Sequence, residues 1–147
     1  MRSQIWMLMI LLAGTGVALD AAPKDDAYHY MRNGIDDHLY NEWWYFNGVA
    51  NGSQFVVTYL IGDPDNITSQ RKIQVQAVLL EDGRAPVVAV HHSRGFGGDR
   101  SSPTFEVDRS GFMPEDERRL SVWGQAEDTS TGEPVSWELL YEPAADP

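Results

Sequence analysis

From residue 42 onward, short runs of alternating apolar and polar residues are separated by turn signals, which is the pattern of β-strands. The clearest run is residues 72–80, in which every second residue from Ile73 to Leu79 is apolar. Asn51-Gly52 and Asp82-Gly83 have the residue types that favour two-residue hairpin turns, and the last pair of strands is expected around Thr131-Gly132. Seven strands are predicted, over residues 43–50, 55–61, 72–80, 86–92, 104–109, 120–126 and 135–142.

No segment has a helical period, and residues 113–119 are expected to form one helical turn at most. Strands that follow one another through short turns favour an antiparallel meander, so the predicted fold class is all-β. A lipocalin-like barrel, closed or partly open, is the favoured arrangement, and a sandwich is the alternative. The first strand is bulky on both faces, and we therefore expect it to be covered on both.

The N-terminus has the features of a secretory signal peptide. Arg2 precedes an apolar run over residues 5–13, and small residues at Gly16 and Ala18 suit a cleavage site. The predicted organisation is a signal peptide over 1–20, an irregular lead-in over 21–37 and one domain over 38–147. The expected location is the periplasm, the cell envelope or the extracellular space. An uncleaved leader is the alternative, and it is the single route by which we expect the chain to meet a membrane.

Charge and composition remove several classes of function. The chain of 147 residues carries 22 acidic and 11 basic side chains, a net charge of −11. This balance argues against nucleic-acid binding, because phosphate contacts need a basic surface. The sequence has no Cys, which excludes disulfides and thiolate chemistry. No motif for a metal or an organic cofactor is present, since the acidic loop from Asp63 lacks the Gly and Glu of a calcium loop.

The densest chemical feature is the aromatic run from His38 to Phe46, which contains Glu42. One interpretation is an aromatic ligand cavity with Glu42 and His38 as acid–base groups at its rim. The other is an aromatic core strand, because Trp and Tyr favour strands and bury large areas. A carboxylate beside two Trp residues is costly to bury alone, so Glu42 is expected to be exposed or to have a partner.

His91 and His92 are adjacent in a predicted strand and must therefore point to opposite faces. At most one of them faces the interior, since the alternation places His91 with Val87 and Ala89, and His92 with Val88 and Val90. Arg94, just beyond, is expected to pair with a buried carboxylate or to close the rim of a cavity.

The run Glu42-Trp43-Trp44-Tyr45-Phe46, with the hairpin into residues 55–59, resembles the first domain of the AttH/CrtC family. This lipocalin-like family contains carotenoid 1,2-hydratases (hydroxyneurosporene synthases) and related Diels–Alderase-like proteins. Residues 135–143 also resemble a late strand of that domain. Members usually carry two tandem lipocalin-like domains, and this chain has room for about one.

The resemblance implies a β-barrel that binds a hydrophobic small molecule, isoprenoid- or lipid-like, without a cofactor. One alternative is a hydratase or cyclase, of hydro-lyase or isomerase type, acting on an isoprenoid alkene with Glu42 or His38 as the acid. Another is the N-terminal half of a two-domain protein that lacks its second lipocalin-like domain. The ligand-binding residues expected are Trp43, Trp44, Tyr45, Phe46, Tyr59, His91 and Arg94.

Overall fold

A computed structural model describes residues 7–11, 40–50, 52–64, 66, 69, 71–99, 101–117 and 119–141. The described residues form one ten-stranded sheet and contain no helix. Its strands are β1 (Met7–Leu11), β2 (Asn41–Ala50), β3 (Ser53–Gly62), β4 (Lys72–Glu81), β5 (Val87–Ser93), β6 (Gly97–Gly98), β7 (Phe105–Val107), β8 (Ser110–Pro114), β9 (Leu120–Asp128) and β10 (Pro134–Tyr141). The prediction of an all-β, meander-like antiparallel fold is therefore confirmed. The described part of the chain has no helix that is long and apolar enough to cross a membrane.

The strands from β2 to β5 form an antiparallel meander in which each strand pairs with the next. β5 then pairs with the end of β9 through two residue pairs, Ala89 with Asp128 and Val90 with Glu127. The short strands β6, β7 and β8 form a second meander that also joins β9. β10 pairs antiparallel with β9 and parallel with β1.

The sheet curls without closing into a barrel. In the described residues, β2 pairs with β3 alone, and no ladder joins β2 to β10. β2 and β10 still approach each other, because the Tyr141 hydroxyl at the end of β10 donates a hydrogen bond of 3.2 Å to the Asn47 carbonyl. The fold is thus the partly open form of the predicted barrel.

Glycines with positive φ lie in the turns of three predicted hairpins. Gly52, Gly83 and Gly132 have φ of 81°, 73° and 73°, conformations that side chains disfavour. The apolar positions of the strands then alternate into one core, which includes Val57, Tyr59 and Val75.

The strand bounds differ from the prediction at residues 104–114. Residues 108 and 109, predicted as the end of a strand over 104–109, form a turn that ends β7, and residues 110–114 form β8, where no strand was predicted. Gly111 explains why β8 packs here, since a Cβ at that position would lie 2.5 Å from the Phe105 carbonyl oxygen.

The predicted signal peptide lies outside the described residues except for Met7–Leu11, which form β1. The predicted lead-in over 21–37 and the candidate His38 also lie outside them.

Candidate functional site

The alternation of β2 separates the predicted ligand residues onto two faces of the sheet. Trp44 is buried and Phe46 partly buried on the inner face, whereas Trp43 and Tyr45 are 60% and 62% exposed on the outer face. The expectation that both faces of this strand are covered was therefore wrong.

The inner face is filled by aromatic rings that pack against one another. Trp44 lies 4.7 Å from Phe105 and 5.4 Å from Phe112, measured between ring centroids. Phe46 lies 5.1 Å from Phe112 and 6.0 Å from Tyr59. These contacts have the tilted and edge-to-face geometry of core aromatic pairs. The interpretation of the run as core therefore applies to its inward half.

Tyr59 is fully buried and connects opposite parts of the sheet. Its hydroxyl lies 2.9 Å from the Gly111 carbonyl oxygen and 2.7 Å from the Trp123 carbonyl oxygen. Burial raises the pKa of the Tyr59 hydroxyl far above its usual value, because the phenolate would lose its hydration. The hydroxyl therefore stays protonated at physiological pH and acts as a structural donor.

Glu42 begins the inner row of β2 and is half-buried. Its Oε2 accepts a hydrogen bond of 2.6 Å from the Tyr40 hydroxyl. The expectation that Glu42 is exposed or has a partner is therefore confirmed, and the partner is the Tyr40 hydroxyl.

The outer face carries a set of apolar side chains that we call the outer patch. In the described residues, all the large hydrophobic side chains with high exposure belong to it: Trp43, Tyr45, Val49, Val56 and Leu80. The strand register places them together, because Val56 lies opposite Asn47 of β2 and Leu80 lies opposite Gln54 of β3. A shallow hollow of about 280 Å³ lies at this face, between Val49, Val56 and Leu80.

Charge is absent from the hairpin that carries most of the outer patch. No Asp, Glu, Lys or Arg occurs from residue 43 to residue 62, although the chain holds 33 charged residues in 147. Trp43, Tyr45, Val49 and Val56 therefore lie on an uncharged element of a strongly acidic protein.

His91 and Arg94 lie away from the outer patch. Val75 is opposite His91 in the ladder, which places His91, and not His92, in the inner row. His91 Nε2 is 2.7 Å from Asp108 Oδ2, beside a second hollow of about 300 Å³. Arg94 is exposed, and its carbonyl oxygen accepts a hydrogen bond of 3.2 Å from Arg71. The predicted ligand residues thus occupy separate places and do not form one cavity.

Asp108 is a residue that sequence reasoning missed. It has a φ of 50° in the turn between β7 and β8, a conformation that Asp tolerates better than most residues. The hydrogen bond with His91, followed by one with Ser93, holds the pKa of the Asp108 carboxyl below its usual value. The turn contains no Gly or Pro, so the signal that identified the other hairpins is absent here.

No cluster of three His, Asp or Glu side chains suited to a metal ion occurs among the described residues. No family model, curated protein or solved structure matches the chain.

Proposed function

We propose that this chain is an exported, lipocalin-like domain that binds an apolar, uncharged ligand of the isoprenoid or lipid class. The observation that carries the proposal is the outer patch, which gathers the exposed large hydrophobic side chains of the described residues on one face. Soluble proteins rarely leave contiguous apolar surface exposed unless it binds something. Export is proposed on the charged and apolar pattern of the leader.

The uncharged hairpin defines the class of ligand. A charged ligand would meet no opposite charge between residues 43 and 62, whereas an apolar chain would cover the side chains of Trp43 and Tyr45. Covering about 200 Å² of apolar surface contributes about 5 kcal/mol before the entropic cost of association. The expected binding is consequently weak to moderate.

The inward aromatic residues support this face from beneath. Trp44, Phe46 and Tyr59 pack with Phe105 and Phe112, so their role in the proposal is to hold β2 and β3 rigid under the ligand. This differs from a barrel that holds its ligand inside.

The outer patch also suits the alternative in which the chain is the N-terminal half of a longer protein. A second lipocalin-like domain would then cover Trp43 and Tyr45. Adding downstream sequence would protect Trp43 from a soluble quencher in that case, and it would leave the accessibility unchanged if the face binds a small molecule.

The hydratase alternative depends on Glu42, whose carboxylate has Tyr40 as its partner. It predicts that Glu42→Gln retains ligand binding and abolishes hydration of an isoprenoid alkene. Turnover that survives this substitution would remove Glu42 as the acid.

Ligand binding is tested by titrating the full chain with a long-chain fatty alcohol and with geranylgeraniol, both uncharged, following Trp fluorescence. We expect saturable quenching that is lost in Trp43→Phe, because Trp43 is the exposed Trp of the described residues. Leu80→Ser should weaken binding about fivefold, which corresponds to a loss of about 1 kcal/mol.

Leu140→Ser is the matched control, because Leu140 is a partly buried leucine of β10, outside the outer patch. Its binding should equal that of the unmodified chain. An absence of saturable quenching with both ligands would refute the proposal, as would equal losses in the two leucine variants.

A further inference from the structure

Among the strands that the structure describes, β2 is an edge strand, and its hydrogen-bonding groups alternate between its neighbour β3 and the open side. The even-numbered residues of β2 direct their backbone N–H and C=O groups toward β3. This follows from Tyr40, just before β2, whose carbonyl oxygen accepts a hydrogen bond of 3.1 Å from the Asp63 N–H. The Asn47 carbonyl instead faces away from β3, because it accepts from Tyr141. In an antiparallel strand the backbone groups of alternate residues point the same way. Trp43, Tyr45 and Val49 therefore direct their backbone groups to the open edge.

The stretch of this edge from Trp43 onward lacks the features that normally prevent strands from pairing. Residues 43–50 contain no charged residue and no Pro, and their register with β3 runs one to one without a bulge. The one charge of β2 is Glu42 at its start, which is half-buried and hydrogen-bonded to Tyr40. Natural proteins usually block a long, flat, apolar edge with a charge, a proline or a bulge. The edge of β2 has the length and regularity of a strand-pairing surface.

We infer that β2 pairs antiparallel, edge to edge, with the β2 of a second copy of this chain. A strand that pairs with itself about a two-fold axis presents the same groups on both sides, so no other sequence is required. Each copy has a net charge of −11, and such copies can approach closely only where no carboxylates face each other. The uncharged hairpin over residues 43–62 meets that condition.

The Tyr141 contact does not close the edge. A carbonyl oxygen has two acceptor sites, so Asn47 can accept from Tyr141 and from a paired strand. Trp43 and Tyr45, on the N-terminal side of Asn47, lie at the free stretch of the edge. Pairing would also join the outer patches of the two copies across the interface.

The inference is tested by sedimentation velocity of the full chain over a concentration series. We expect a species of twice the chain mass that grows with concentration. Tyr45→Lys places a charge at the edge of each copy and should raise the dimer dissociation constant about tenfold or more. Leu80→Lys is the matched control, because it also replaces an exposed apolar residue of the outer patch with Lys, but lies two strands, about 10 Å, from the edge. It should leave the dissociation constant close to that of the unmodified chain.

Amide hydrogen exchange of the unmodified chain gives a readout that needs no variant. With rising concentration, the amides of Trp43 and Tyr45 should exchange about tenfold more slowly, while that of Trp44, which faces β3, should not change. A chain that stays monomeric at every concentration overturns the inference. Equal weakening by the two lysine variants overturns it as well, because contact through the outer patch would then explain the dimer. Loss of ligand binding with the dimer intact would refute the proposed function alone.

Discussion

Replacing the Tyr59 hydroxyl with hydrogen tests how the curled sheet is held together. The ring of Tyr59 is fully buried on β3, and its hydroxyl meets carbonyl oxygens of β8 and β9 at 2.9 Å and 2.7 Å. These partners are 52 and 64 residues away in the sequence. The contact therefore joins the first meander to the second across the interior.

The expected loss of stability in Tyr59→Phe is about 1–2 kcal/mol. A typical internal hydrogen bond contributes about 0.5–1.5 kcal/mol, and a buried group left without its partner costs about 1–3 kcal/mol. The ring stays in place among Phe46, Phe105 and Phe112, so no cavity larger than a hydroxyl is created. A loss of stability near 3 kcal/mol, the upper end of the range of about 1–3 kcal/mol for a buried group without its partner, is therefore not expected.

The measurement is urea unfolding followed by Trp fluorescence, with Tyr45→Phe as the matched control. Tyr45 loses the same hydroxyl but is 62% exposed, so its free energy of unfolding should change by less than about 0.5 kcal/mol. A Tyr59→Phe variant as stable as the unmodified chain would refute the structural role of the hydroxyl. Equal losses of stability in both variants would show that burial of the Tyr59 hydroxyl is not the cause of the loss.

The same pair of variants tests how the stability of the fold responds to alkaline pH. Burial raises the pKa of Tyr59 in the folded chain above the value of about 10 that it has when unfolded. Its contribution is therefore fully present below pH 10 and is lost as the pH rises toward the folded pKa. The decline in stability above pH 10 should be shallower in Tyr59→Phe than in Tyr45→Phe.

Two further substitutions test the packing and the ion pair. Gly124→Ala should destabilise the fold by about 1–3 kcal/mol in urea unfolding, because the added Cβ would overlap the Trp137 ring, whereas Gly95→Ala, which meets open space, should be nearly neutral. Asp108→Asn should cost less than about 1 kcal/mol at pH 7, since the pair with His91 is substantially exposed. Because folding lowers the pKa of Asp108, that difference should begin to fall below about pH 4 and be lost as the pH falls through the lowered pKa. A difference that persists at still lower pH would contradict the role of the carboxylate.

Local pattern was sufficient to predict the longer strands. Residues 72–80 alternate with a period of two, and the observed β4 covers Lys72–Glu81. Gly52, Gly83 and Gly132 mark turns in the sequence and adopt positive φ in the structure. In these hairpins the turn chemistry and the apolar alternation agree, so neighbouring residues alone specify the local structure.

The second meander depends on contacts between distant residues, and its prediction was incomplete for that reason. β8 includes Gly111 and Pro114, which have low intrinsic preference for strands. It forms because Gly111 fits against the Phe105 carbonyl and the Trp123 ring, and because Ser110 bonds the backbone of Gln125. None of these partners can be read from residues 110–114 alone.

The candidate site depends on the side of the sheet to which each residue of β2 points. Alternation along a strand places Trp43 and Tyr45 on the face opposite Trp44 and Phe46, but it cannot show which set lies inside. That choice is made by β7 and β8, whose Phe105 and Phe112 supply the rings that cover the even-numbered residues. Since the described strands supply no comparable cover for the odd-numbered residues, these form the exposed outer patch. The second meander thus determines both the core and the surface proposed for binding.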